Sequence, residues 1–128
     1  MRILLDTHTF IWLSGKSTQL SAEAAKLIAD PNNTLLLSLA SMWEIQIKMG
    51  IGKLTLPKPL PDAIQELVLH NRLRLMPIEL IHIYALATLP DHHRDPFDRL
   101  LIAQAVSENL PILTSDPLIA RYPILTVW

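Results

Sequence analysis

Short apolar runs alternate along this chain with segments of helical periodicity, and the alternation is its first structural signal. The run Ile3 to Leu5 stops abruptly at Asp6, which suits a strand buried on both faces. Similar runs cover Leu35 to Leu37, Leu73 to Ile78 and Ile112 to Leu113, and Ile124 to Trp128 supplies a last strand. Between them, apolar residues recur at helical spacing over Ala22 to Ala29, Met42 to Met49, Ala63 to His70, Leu80 to Leu89 and Phe97 to Glu108. A first helix begins at Thr7, with Phe10 and Trp12 on it and Trp43 on a later one, all three read as packing residues. Strands alternating with helices predict an α/β fold whose central parallel sheet is covered on both faces.

Prolines fall where this order needs interruption: Pro31 in a turn, Pro90 after the Leu80 helix, Pro111 before a strand. Ile45 to Pro61 holds Lys48, Lys53 and Lys58 without an acid and closes in a proline-rich stretch. It reads as a helix end followed by an extended, locally basic connection.

With 128 residues, half of them hydrophobic, the chain is expected to form one domain, 1–128. Eleven Lys and Arg against twelve Asp and Glu leave a net charge of −1, so any contact with nucleic acid must be local. The absence of cysteine excludes thiol nucleophiles, disulfides and common structural zinc sites. None of the three glycines opens a phosphate-cradling loop, which removes ATP, GTP and NAD readings. Asp6 interrupts the apolar start, and no apolar stretch approaches roughly 18 residues. A soluble, cytoplasmic protein with no membrane contact is the expectation.

Four acids stand where a strand ends or a helix begins: Asp6, Glu44, Asp98 and Asp116, with Asp95 close by. Each has a local explanation. Asp6 and Asp95 have the spacing of helix caps, Ser41 and Glu44 that of a capping box, and Asp116 precedes Pro117 as a cap precedes a first-turn proline. Their joint placement adds a second meaning, because strand-to-helix junctions of an open parallel sheet share one carboxyl edge, where ligand crevices form. Carboxylates gathered there repel by about 1 to 4 kcal/mol per close pair. Such a cluster needs a cation, and an all-oxygen donor set selects Mg²⁺, with Mn²⁺ as the alternative, over zinc.

Four ordered stretches carry a family resemblance: LLDTHTFIW at the start, SMWEIQIKMGIGKL in the first third, HHRDPFDRLLIAQA near residue 100, and ILTSD ending at Asp116. Together they resemble a PIN-domain ribonuclease of the VapC toxin type, nearly end to end. The resemblance implies a three-layer α/β/α sandwich, metal-dependent cleavage of RNA and neutralisation by a VapB-type antitoxin. It places the family's four acids on Asp6, Glu44, Asp98 and Asp116, leaving Asp95 as the helix cap.

On that reading Asp6, Asp98 and Asp116 hold the metal, while Glu44 orients the attacking water or completes the shell. Thr114 and Ser115 are placed to hydrogen-bond the metal's waters. Because carboxylates repel RNA, phosphate contacts are expected from Lys48, Lys53, Arg94 and Arg99 at the rim. The histidines His8, His92 and His93 are expected to hydrogen-bond or touch substrate. A homodimer carrying the antitoxin over its acidic crevice completes the expectation, and an exposed Trp12, Phe10 or Trp43 would mark an interaction surface.

Three alternatives remain at this level. A dehalogenase-type phosphatase needs a second Asp two positions after Asp6, where His8 stands, and a receiver domain needs an acidic pair after the first strand. A non-catalytic PIN-like interaction module, whose acids only cap helices, is separated by metal titration and a cleavage assay.

Overall fold

The computed structural model of the protein describes residues 1–15 and 17–128. Five strands, β1 (Arg2–Leu5), β2 (Thr34–Ser38), β3 (Arg74–Met76), β4 (Ile112–Leu113) and β5 (Thr126–Val127), form one sheet in the order β3, β2, β1, β4, β5. Every neighbouring pair is parallel. The helices are α1 (Thr7–Ser14), α2 (Ala22–Ala29), α3 (Leu39–Gly50), α4 (Leu60–Asn71), α5 (Leu80–Ala85) and α6 (Pro96–Glu108).

Side chains that alternate along each strand feed opposite faces of the sheet. Ile3, Leu5, Leu35, Leu37 and Leu113 join Phe10 of α1, Ile28 of α2, and Ile64 and Leu67 of α4 in one core. Leu4, Leu36 and Ile112 join Leu101, Ile102 and Ala105 of α6, with Ile119 and Tyr122, in the other. Two apolar layers on one sheet make the expected three-layer α/β/α arrangement. Each fully buried aliphatic side chain contributes about 1.5–3 kcal/mol, so strands only two to five residues long are held by their helices more than by their ladders.

The register fixes the edge that matters. Leu5 pairs with Leu113, so the residues that follow, Asp6 and Thr114, emerge side by side at the carboxyl end of the central strands. The Asp6 amide donates to the Leu113 carbonyl at 3.2 Å. Helix α3 touches both α1 and α6 across this edge, and the buried Gln104 of α6 lies 2.5 Å from the Ser38 hydroxyl at the end of β2.

Several local expectations are corrected. Helix α3 starts three residues before Met42, because Ser38 accepts the Ala40 amide at 3.0 Å and is the true cap. Ser41 and Glu44 therefore lie inside the helix, both buried, and form no capping box. Asp116 caps no α-helix; its Oδ1 accepts the Leu118 amide at 2.9 Å and leads into a 3-10 turn over Ile119–Arg121. The Leu80 helix ends at Ala85 and tightens into a 3-10 turn, Leu86–Thr88. Pro61 belongs to the first turn of α4 rather than to the extended connection, and β3 is shorter than the Leu73 to Ile78 run. Among the described residues, no helix is long and apolar enough to cross a membrane.

Candidate active site

Four segments carry the acids: the β1–α1 junction, helix α3, the start of α6, and the segment after β4. Asp6 is buried and serves as the cap of α1, its Oδ1 accepting the Thr9 amide at 2.7 Å. Its Oδ2 accepts the hydroxyl of Thr114, and that same hydroxyl oxygen accepts the Asp116 amide at 3.0 Å. One threonine thus ties the first acid to the fourth. Capping and cluster membership are not rivals at Asp6, since a carboxylate has lone pairs for both.

Asp95 caps α6, with Oδ1 accepting the Phe97 and Asp98 amides at 2.8 and 3.2 Å. Asp98 then stands in the first turn, where the helix dipole favours a carboxylate. Its carboxyl is nevertheless pushed up to about 6, first by burial, then by the charges of Asp95, Glu44 and Asp116, with His93 opposing the rise. These influences put Glu44 and Asp116 within electrostatic reach of Asp98. Among the described residues, no hydrogen-bond donor reaches the Asp98 carboxylate.

Glu44 is held at both oxygens. The Thr7 hydroxyl donates to Oε1 at 2.9 Å and also lies 3.0 Å from the Ser41 hydroxyl, while Lys48, one turn on, donates to Oε2 at 2.8 Å. The Glu44 carboxylate beside it, followed by the more distant Asp95 and Asp98, holds the Lys48 ammonium above its ordinary value against the opposing effect of burial. Asp116 receives the Leu118 amide on Oδ1 and lies 3.2 Å from His93 Nε2 through Oδ2.

The expected residues do not all converge. Thr114 joins Asp6 to Asp116, Lys48 is bonded to Glu44, and Asp98 lies within the charge influence of Glu44 and Asp116. Ser115 is exposed, Arg94 is exposed, and Lys53 lies beyond the C-terminal end of α3, past the left-handed Gly52. The Arg99 guanidinium is committed to the carbonyls of Pro90 and Leu86, at 3.0 and 3.5 Å, and to Asp91 at 3.7 Å. Trp43 is 59% exposed against the expectation of packing, its ring meeting Phe97 edge-on at 5.1 Å; Phe10 is fully buried. Sequence reasoning missed Thr7, which follows Asp6 directly, and Tyr122, whose partner loop lies about thirty positions away.

The donor set fits a hard divalent ion that keeps several waters, because the acids present oxygen alone and crowd Asp98 into an unfavourable charge. They form an open set rather than a closed cage. Among the described residues, the trio whose ligand atoms all lie within 4.8 Å of one another is elsewhere, Glu79, His82 and Glu108 between α5 and α6. There His82 Nδ1 accepts the Glu79 amide at 2.9 Å, so Nε2 carries the hydrogen and faces Glu108 at 3.0 Å as a donor. That ring braces α5 and has no lone pair to offer an ion. A surface groove of about 510 Å³ beside the C-terminal end of α6, lined by Val106, Asn109 and Leu125 among others, contains no acid.

The chain resembles several solved structures over nearly its full length. VapBC2 of Rickettsia felis, bound to a promoter DNA fragment, has 20% identity and a TM-score of 0.72, covering 99% of this chain and 98% of that one. DNA-bound VapBC of Salmonella typhimurium has 15% identity and a TM-score of 0.67, with 99% and 97% covered. VapBC-5 of Mycobacterium tuberculosis, a member of the VapBC family of toxin-antitoxin systems, has 18% identity and a TM-score of 0.59, with 98% and 95% covered. At these identities the likeness is one of fold. No curated protein matches the sequence. The family model for the PIN domain, however, matches residues 3–125, and with the parallel sheet and the acids at its carboxyl edge this assigns the chain to the PIN-domain family.

Proposed function

We propose that this PIN domain is a Mg²⁺- or Mn²⁺-dependent endoribonuclease, the VapC-type toxin of a toxin-antitoxin pair acting in the cytoplasm. The observation that carries the reading is Asp98: a carboxylate with no donor among the described residues, its carboxyl pushed up to about 6 by burial first and then by the charges of Asp95, Glu44 and Asp116. A divalent ion bound there supplies the counter-charge, the activated water and the stabilised leaving oxygen that phosphodiester hydrolysis needs.

Asp6, Asp98 and Asp116 are the residues that would hold the ion. Asp6 and Asp116 arrive oriented, each oxygen already accepting one hydrogen bond and keeping a lone pair free. Thr114 keeps the two in register, and the exposed Ser115 is left for solvent or substrate. Glu44, whose charge is already countered by the Lys48 ammonium, is placed to position water rather than to bind the ion directly. Lys48, with Lys53 and Arg94 farther out, would meet the RNA phosphates. Arg99 leaves this set because its guanidinium is spent on the 86–91 loop.

The VapBC complexes among the structural relatives support an antitoxin partner, and an acidic crevice suits a partner segment carrying a basic side chain. Two rows of exposed apolar side chains support a homodimer: Leu39, Trp43 and Ile47 on α3, and Leu80, Ile81, Ile83 and Tyr84 on α5. The test incubates purified protein with structured RNAs in Mn²⁺ and in EDTA. Cleavage in Mn²⁺ alone, lost in Asp98→Asn, is expected. Equal cleavage in both buffers overturns the mechanism, and a protein that neither binds Mn²⁺ nor cuts RNA is the interaction module instead.

A further inference from the structure

Tyr122 lies in the α6-side core, 3% exposed, and its hydroxyl reaches the loop that precedes α6. Two consecutive backbone amides donate to that oxygen, His92 at 3.2 Å and His93 at 3.0 Å. The His93 Nδ1 lies 3.2 Å from the same atom. A phenol oxygen has two lone pairs and one hydrogen. With both lone pairs taken by the amides, the hydroxyl hydrogen is left for Nδ1, which must accept it. A hydrogen on Nδ1 would bring three donors onto one oxygen and leave the phenol hydrogen without a partner.

The rings reinforce the arrangement. His93 lies nearly parallel to Tyr122, with centroids 5.5 Å apart at 27°, and His92 meets it edge-on at 4.9 Å and 85°. His93 is itself buried. Its Nε2 faces Asp116 Oδ2 at 3.2 Å. Once Nδ1 is an acceptor, Nε2 carries the ring hydrogen and donates it to the carboxylate.

We propose that Tyr122 and His93 form a strut that fixes the orientation of Asp116 from the hydrophobic core, Tyr122 setting the His93 tautomer and His93 aiming Asp116 Oδ2. The strut also joins the segment carrying Asp116 to the loop that leads into α6, whose first turn carries Asp98, because the His92–His93 loop runs directly into Asp95 and α6. Both residues are positioning residues: neither offers a lone pair to an ion, since Nε2 holds the hydrogen and the phenol oxygen is saturated. The strut deepens the nuclease reading and rests on it for the purpose of Asp116, although the tautomer stands on hydrogen-bond counting alone.

The test reads long-range proton–nitrogen correlations of His93 in the full chain at neutral pH, together with Mn²⁺ binding by calorimetry without RNA. Wild type is expected to show the hydrogen on Nε2, and Tyr122→Phe a mixture of tautomers with Mn²⁺ bound roughly 10- to 100-fold more weakly, the usual effect of losing an outer partner of a ligand. His93→Gln, which keeps a donor near the Nε2 position, should bind within a few-fold of wild type, and His93→Leu should lose as much as Tyr122→Phe. If Tyr122→Phe does not fold, the two His93 variants decide. A hydrogen on Nδ1 or on both nitrogens in wild type overturns the strut, as does wild-type affinity in His93→Leu. Failure of the wild type to bind Mn²⁺ at all refutes the nuclease reading, and the His93 tautomer then still decides whether the strut exists.

Discussion

Asp95 and Asp98 occupy the same turn, and the first holds the second in an unfavourable state: the Asp95 carboxylate that caps α6 by accepting the Asp98 amide also sets a negative charge beside the Asp98 side chain. The cap that starts the helix therefore stores repulsion in the site. Burial is the larger cause of the raised Asp98 carboxyl, the charges of Glu44 and Asp116 add to that of Asp95, and the described structure gives Asp98 no donor in return.

This yields a pH dependence with a definite sign. The Asp98 carboxyl is raised to about 6 in the folded protein, so between its ordinary value near 4 and about 6 the folded state holds more proton than the unfolded one. Its favourable contribution is present below that window and lost as pH rises through it. In EDTA, Asp98→Asn should gain thermal stability relative to wild type as pH goes from 4 to 7. Melting curves at the two ends check this, and a difference that does not grow with pH would mean Asp98 is not crowded.

Thr114 is buried, donates to Asp6 and accepts from the Asp116 amide, so Thr114→Val leaves a carboxylate oxygen and a backbone donor without their partner. The loss should be about 1–3 kcal/mol in urea unfolding. Thr114→Ser keeps the hydroxyl and should recover most of it, with the remainder reflecting the missing methyl group.

The edge of the sheet is legible in the sequence because β1 and β4 are bare apolar runs that stop at Asp6 and Thr114, and the parallel α/β order puts both ends on one edge; that the two strands are neighbours is a matter of the tertiary pairing of Leu5 with Leu113. Ala22 to Ala29 is legible to the residue, since Ser21 caps it by accepting the Ala24 amide and the apolar Ala24 and Ile28 fall on one face. The start of α3 is not. Ser38, Ser41 and Glu44 all have capping chemistry, and only the end of β2 decides that Ser38 is the cap, freeing Glu44 to turn inward to Thr7. Trp43 misleads for a related reason: the helix turns its apolar Ala40 and Ile45 to the core, which leaves Trp43 on the outer rim. The partners of Glu44 and Asp116 join residues distant in sequence, and periodicity carries no information about them.

Among the described residues, Lys48 is the lysine bonded to one of the four acids, at 2.8 Å from Glu44. Lys48→Met removes a positive charge that competes with a divalent ion and leaves the buried Glu44 carboxylate with Thr7 as its remaining side-chain donor. The variant should melt lower than wild type in EDTA and gain more from added Mn²⁺, through tighter binding to the folded state. An unchanged Mn²⁺ response would place the Lys48 charge outside the field of the ion.

Helix α5 has six residues and buries His82 alone, through Nδ1 to the Glu79 amide and Nε2 to Glu108, while Leu80, Ile81, Ile83 and Tyr84 face outward. A helix that short cannot hold itself together in water, so packing on α6 and the His82 bonds must fix it. Its exposed side then costs apolar hydration unless a partner covers it. In a two-fold dimer each substitution acts twice, once from each copy. Ile81→Glu combined with Tyr84→Lys should therefore shift the mass in light scattering at micromolar concentration from that of two chains to that of one. The melting temperature of the dissociated chain need not match wild type, but far-ultraviolet circular dichroism should, because neither side chain enters a core cluster. A wild type that is already monomeric, or a variant that keeps the mass of two chains, removes α5 as the dimer face.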